Sequence, residues 1–181
     1  MQARPDNRAP APDFDLLAVG SGRRVRLRDL AGRRVVLVFH LQGTAPAARE
    51  VNRAVRARFP DPEEVFIASV IDLSIVPPLY WMTVGLVLGS AYEQAARELP
   101  PDVDPAEYIA ILPDWAGRVS RAYGARNTGR AAAVTVVDRD SDVILSYQGE
   151  RPVEEVLRAL GKDQRVLYDS PVAGQATDLS E

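Results

Sequence analysis

Val35-Val36-Leu37-Val38-Phe39-His40-Leu41-Gln42-Gly43-Thr44-Ala45-Pro46-Ala47-Ala48-Arg49-Glu50 is the stretch whose reading decides the fold. Its first five residues are apolar without a break and rich in β-branched side chains. Such a run suits a central strand covered on both faces, whereas strict alternation would mark a strand with one wet face. After a tight turn, Thr44 can cap a helix N-terminus, with Pro46 in the first turn and Glu50 nearby. The helix then runs to about Arg58 and stops before Pro60. Strand, turn and helix is the expected local order.

Working outward, the same logic places the other elements. Gly20-Ser21-Gly22 makes a turn, and Val25 and Leu27 alternate with arginines as a short edge strand. Val65 to Ile71 is a second buried strand. Asp104 caps a short helix through Tyr108, and Ile109 to Leu112 is a brief strand. Ala116 to Tyr123 is a helix ended by Gly124. Ala131 to Val137 and Val143 to Tyr147 are strands joined by a turn that Asp138 begins. Pro152 to Leu160 is a final amphipathic helix, with Gly161 beyond its end. Helices alternating with buried strands, then a hairpin, describe an α/β domain with a central mixed sheet.

At 181 residues the chain suits one domain that needs no disulfide or metal to hold it. We expect loose ends at 1–10 and 166–181, an ordered domain over 11–165, and a helical insertion at about 74–108. There is no cysteine, which excludes disulfides, thiolate catalysis and Cys-ligated metals in this chain. A net charge of −3 argues against a nucleic-acid partner. Residues 1–12 hold no apolar core of the kind a signal peptide needs, so the cytoplasm is the expected compartment. No cofactor and no metal are expected.

Several stretches together resemble the thioredoxin-like superfamily, and most of all its peroxiredoxin (AhpC/TSA) branch. They are Ala11-Pro12-Asp13-Phe14; Val25-x-Leu27-x-Asp29-Leu30-x-Gly32; the Val35–Phe39 run; Ile111-Leu112-Pro113-Asp114-x-x-Gly117; and Arg130 to Asp138. The resemblance covers roughly 11–73 and 109–160. It implies a thioredoxin-like fold whose reactive thiol would stand at the turn before the first long helix. Two registers are open there. A peroxiredoxin Thr-x-x-Cys falls on Thr44 to Ala47, which puts the peroxidatic position at Ala47. A thioredoxin Cys-x-x-Cys falls on Ala45 to Ala48. Either way the nucleophile is alanine. Thr44, Ala45, Ala47, Ala48, Glu50 and Arg130 are then relic active-site positions with no catalytic residue among them. No proline precedes the strand at Arg130 to Val134, where a thioredoxin has its cis-proline.

A peroxidatic thiolate attacks peroxide and becomes a sulfenic acid, and alanine has no lone pair to do so. A natural loss of the cysteines is the favoured reading. An engineered Cys→Ala form of a thiol peroxidase or disulfide oxidoreductase is the alternative. Small-ligand binding or enzymatic reuse of the relic pocket, by His40, Thr44 and Arg130, is a further alternative. Arg126 competes with Arg130 for the pocket. The plain structural readings are a polar strand end for His40, an N-cap for Thr44, and a surface arginine. Trp115 is expected to pack under its loop.

The insertion is the more distinctive text. No charged residue occurs from Leu73 to Tyr92. Pro77-Pro78 forces a helix to start there, and its apolar part is about 14 residues, short of the roughly 20 that span a bilayer. Three readings stand for it: packing in its own core, a homodimer contact, and attachment to a membrane surface. Gly85-x-x-x-Gly89 would let a partner helix approach closely, and Tyr80, Trp81, Met82 and Leu86 would be its anchors. Flanking basic residues that would favour a membrane are lacking. The expected function is that of a redox-inactive protein acting through an interaction surface, as a homodimer.

Overall fold

The computed structural model describes residues 9–168, with side chains through Gly161. At its centre is β4 (Arg34–Phe39), in which all six residues are buried. β5 (Val65–Asp72) runs parallel to it on one side and β7 (Ala133–Val137) antiparallel on the other. β6 (Ile111–Asp114) extends the sheet beyond β5 in parallel. β8 (Asp142–Gln148) and then the two-residue β1 (Ala9–Pro10) extend it beyond β7. The six-stranded order is β1-β8-β7-β4-β5-β6. A separate hairpin joins β2 (Asp15–Leu17) to β3 (Arg24–Arg26), with Leu16 opposite Val25. This is the expected thioredoxin-like α/β fold, a mixed sheet flanked by helices.

Strand geometry divides the core in two, because successive side chains on a strand point to opposite faces. Val35, Leu37 and Phe39 join Phe14 and Val25 of the hairpin side, Val119 of α4 (Arg118–Ala122) and Tyr123 just past its end. Val36 and Val38 join Ala48, Val51 and Val55 of α1 (Ala45–Arg58) and Val156 and Leu160 of α5 (Pro152–Tyr168). Fully burying such a side chain contributes roughly 1.5–3 kcal/mol, so β4, serving both clusters, is the strand whose disruption would cost most.

Three local details go beyond the sequence reading. Arg34 begins β4 yet is 1% exposed. Its guanidinium donates to the Leu160 carbonyl at 3.0 Å, pairs with Glu64 and lies over the Phe59 ring at 4.8 Å. α5 runs on through Gly161 to Tyr168 instead of ending at Leu160. A helical glycine costs about 1 kcal/mol, and the buried Val156 and Leu160 face outweighs it. Ala9 and Pro10, in the segment expected to be loose, pair with β8. Residues 1–8 and the tail beyond 168 lie outside the described residues.

Between β5 and β6 stand α2 (Trp81–Arg97), entered by a 3-10 turn at Pro78–Tyr80, and α3 (Pro105–Tyr108), which Asp104 caps through the Ala106 amide. No residue of α2 is buried. That overturns the reading of this helix as part of its own core. The reason is geometric: the sheet face is already filled by the hairpin and α4, so α2 reaches the body only through one row of residues.

Candidate functional site

The turn that holds the expected site positions sits where β4 ends and α1 begins. Leu41 closes a 3-10 turn over Gln42–Thr44, and α1 starts at Ala45. Thr44 occupies the N-cap position, but its hydroxyl makes no capping bond. It accepts from the Leu41 amide at 3.0 Å and donates to the Thr128 carbonyl at 2.6 Å. The capping expectation is therefore corrected. A hydroxyl has one proton, and here it ties the start of α1 to the loop before β7.

That loop forms the other wall of a cleft of about 630 Å³. Thr44, Pro46 and Ala47 line one side, and Arg126, Asn127 and Arg130 the other. Asn127 takes a left-handed backbone (φ 51°), a conformation asparagine tolerates better than most residues. Its carbonyl accepts the Arg130 amide at 2.8 Å. Gln148 of β8, which also lines the cleft, holds the loop, its side-chain amide donating to the carbonyls of Arg126 and Ala131 at 2.5 and 2.9 Å. Sequence reasoning missed Gln148, whose role depends on strand pairing that brings β8 against residues far earlier in the chain.

The expected site residues separate. Thr44, Ala47 and Arg130 meet in the cleft, and Arg126 joins them rather than competing. Ala48 is buried in the helix-side core, and Glu50 is exposed on α1. His40 does not line the cleft. It stands half-buried at the end of β4, with Nδ1 3.3 Å from the Leu41 carbonyl. Burial pushes its pKa below the ordinary histidine value, opposed by that carbonyl and reinforced by Arg49. With no acidic hydrogen-bond partner among the described residues, this imidazole fits a polar strand end. In the segment that resembles the family, Asp114 accepts the Arg118 and Ser120 amides at 3.0 and 2.8 Å and so caps α4.

The second candidate is α2. Trp81 stacks on Trp115 with ring centres 5.1 Å apart and donates its indole N–H to the Val76 carbonyl at 3.0 Å. Trp115 thus packs against the insertion. Tyr92 lies so close over Gly20 that a Cβ there would overlap its ring. Tyr108 of α3 accepts the Arg56 guanidinium over its ring at 5.4 Å. Helical spacing puts Trp81, Val84, Leu88 and Tyr92 in one row toward the body. The other side presents Leu79, Met82 and Leu86, which are 84, 83 and 72% exposed, along with Val87. Gly85 and Gly89 fall beside Met82 and Leu86 on the i, i+3, i+4, i+7 stripe. A Cβ at either would meet nothing within 4 Å, so the stripe carries a shallow open hollow. Tyr80, half exposed, flanks its start.

No family model matches the chain, and no curated protein does. Solved structures do. The pneumococcal exposed lipoprotein thioredoxin Etrx1 of Streptococcus pneumoniae strain TIGR4 superposes with a TM-score of 0.60 at 16% identity, over 83% of this chain and 99% of that one. A putative thiol:disulfide interchange protein DsbE from Chlorobium tepidum gives 0.56 at 19%, over 90% and 96%. Yeast mitochondrial 1-Cys peroxiredoxin gives 0.59 at 20%, over 94% and 83%. At these identities the likeness is one of fold: the chain has a thioredoxin-like fold and carries no cysteine.

Proposed function

We propose that this chain is a redox-inactive, peroxiredoxin-like protein that works through the outer row of α2, and that the occupant of that row is a second copy of the chain. The observation that carries this reading is the exposure of the segment that leads into α2 and of the first half of that helix. Seven of the eight exposed large hydrophobic residues lie between Ile75 and Val87. Taking about 150–250 Å² for each large side chain and weighting each by its exposed fraction, they present roughly 900 Å², close to the about 800 Å² that each partner of a standard interface buries. Monomers rarely expose more than about 300–600 Å² of contiguous apolar surface.

The chemistry of the row favours self-association. It carries no charge of either sign, so it repels no copy of itself and offers nothing to anionic headgroups. Among the described residues no helix is long and apolar enough to cross a membrane. A two-fold contact places each stripe on the other, with Met82 or Leu86 of one copy entering the hollow at Gly85 and Gly89 of its mate. Sedimentation velocity on the full chain tests this. The wild type should run as a dimer at micromolar concentration and Leu86→Glu as a monomer, with unchanged circular dichroism. A monomeric wild type, or a dimeric variant, overturns the proposal.

A further inference from the structure

We propose that the cleft between α1 and the 126–131 loop is a binding site for a small aliphatic monocarboxylate. This is independent of the α2 reading. The cleft holds about 630 Å³, within the range of small-molecule sites, about 300–1,000 Å³. Its two sides differ in chemistry, and together they define the ligand.

The loop side supplies charge. Arg126 and Arg130 both line the cleft, and among the described residues neither enters an ion pair. Two guanidinium groups lining one cleft give it positive charge, and their planar forks match a carboxylate. The loop that carries them is held by Gln148 and by the bond from Thr44 to Thr128. The loop backbone is therefore already ordered before binding, and the cost left is that of fixing the two arginine side chains.

The floor supplies the rest of the selection. Pro46, Ala47, Ala132 and Pro152 offer only small apolar surface. The Thr44 proton is committed to Thr128, so Thr44 gives the ligand a wall rather than a donor. A hydrocarbon tail suits this floor, and a fully polar oxyanion leaves it uncovered. Glu150 lines the same cleft and adds one negative charge, which penalises a dianion more than a monoanion. A single carboxylate on a short alkyl chain meets all three conditions.

The test is an amide NMR titration of the full chain with butyrate and hexanoate, with hexanamide and inorganic phosphate as comparators. Hexanoate should give saturable shifts at Ala47, Arg130 and Ala131, stronger than butyrate. Arg126→Ala and Arg130→Ala should each weaken it about tenfold, the scale of a lost charge-assisted bond. Ala47→Phe fills the floor without changing charge and should abolish binding. Spectra of the variants away from the cleft report that each is folded. The proposal is overturned if hexanoate gives no saturable shift. It also falls if hexanamide or phosphate binds as well as hexanoate, or if the double arginine variant binds as the wild type does.

Discussion

Replacing Thr44 by valine keeps its shape and removes one hydroxyl. In a relic catalytic position that change would leave stability untouched, since a group kept for a lost reaction holds nothing together. The geometry predicts otherwise. The hydroxyl accepts the Leu41 amide and donates to the Thr128 carbonyl, at 3.0 and 2.6 Å. Thr44 and Thr128 are 9 and 5% exposed, so water replaces the lost bonds poorly. An unmet buried polar group costs about 1–3 kcal/mol. Two of them, one on the half-buried Leu41 and recoverable in part by water, come to about 3 kcal/mol; the added methyl offsets up to about 0.8 kcal/mol of that. The expected loss is therefore about 2 kcal/mol, or roughly 4–8 °C in Tm for a chain of this size. Thr44→Ser keeps the hydroxyl and should lose less than half as much. Urea unfolding followed by circular dichroism measures both. A valine variant within about 0.5 kcal/mol of the wild type, the usual range for neutral surface changes, would refute the reasoning and return Thr44 to the status of a vestige.

Other outcomes follow from the same geometry. Trp81 and Trp115 are the only two tryptophans and they stack, so near-ultraviolet circular dichroism should carry a coupled signal that Trp81→Phe and Trp115→Phe each abolish; a wild-type spectrum equal to the sum of the two variants would mean α2 does not rest there. His40 has its pKa lowered by burial, so the unfolded chain binds its proton more readily. Stability is then complete above the unfolded value of about 6.5 and falls as pH drops below it toward the folded value. His40→Gln should flatten that part of the urea-midpoint profile between mildly acid and neutral pH, and an unchanged slope would assign the acid sensitivity elsewhere. A cysteine introduced as Ala47→Cys faces Arg126 and Arg130 across the cleft, which favours its thiolate, so it should react with a disulfide reagent with an apparent pKa below the free value of about 8.5. Ala48→Cys lies in the core and should react only on unfolding; equal rates for the two would contradict the placement of α1.

The fold was legible where one physical pressure acted alone. Val35 to Phe39 could be read as a strand because burial on both faces leaves only apolar side chains acceptable. Arg34 was not legible, since nothing local distinguishes a surface arginine from one that meets Glu64, Phe59 and the Leu160 carbonyl. Thr44 was legible as a helix start, but two uses of its hydroxyl share one sequence signature. Which use wins depends on Thr128, 84 positions away. The cleft arginines were readable as rivals; their partnership follows from the turn at Asn127, which puts both on one wall.

The apolar text from Leu73 to Tyr92 shows where such reading stops. Hydrophobicity says that a segment is covered, not by what. The two core clusters contain no residue from the insertion, so the domain closes its sheet without it. Core packing therefore exerts no pressure to keep Leu79, Met82, Leu86 and Val87 apolar. A row of exposed leucine, methionine and valine makes no contribution to the isolated fold and promotes aggregation. Polar substitutions there would be nearly neutral for the monomer and would remove that liability. The proposed contact with a second copy would cover the row, and the energy at stake is accessible. Covering even half of roughly 900 Å² per copy at about 25 cal/mol per Å² gives on the order of 20 kcal/mol gross for a pair. That exceeds the estimated 4–15 kcal/mol lost in association. A helix with one row anchored to the body and the other uncharged and open has the balance required for a dimer contact, and the balance would vanish with a single buried glutamate at position 86.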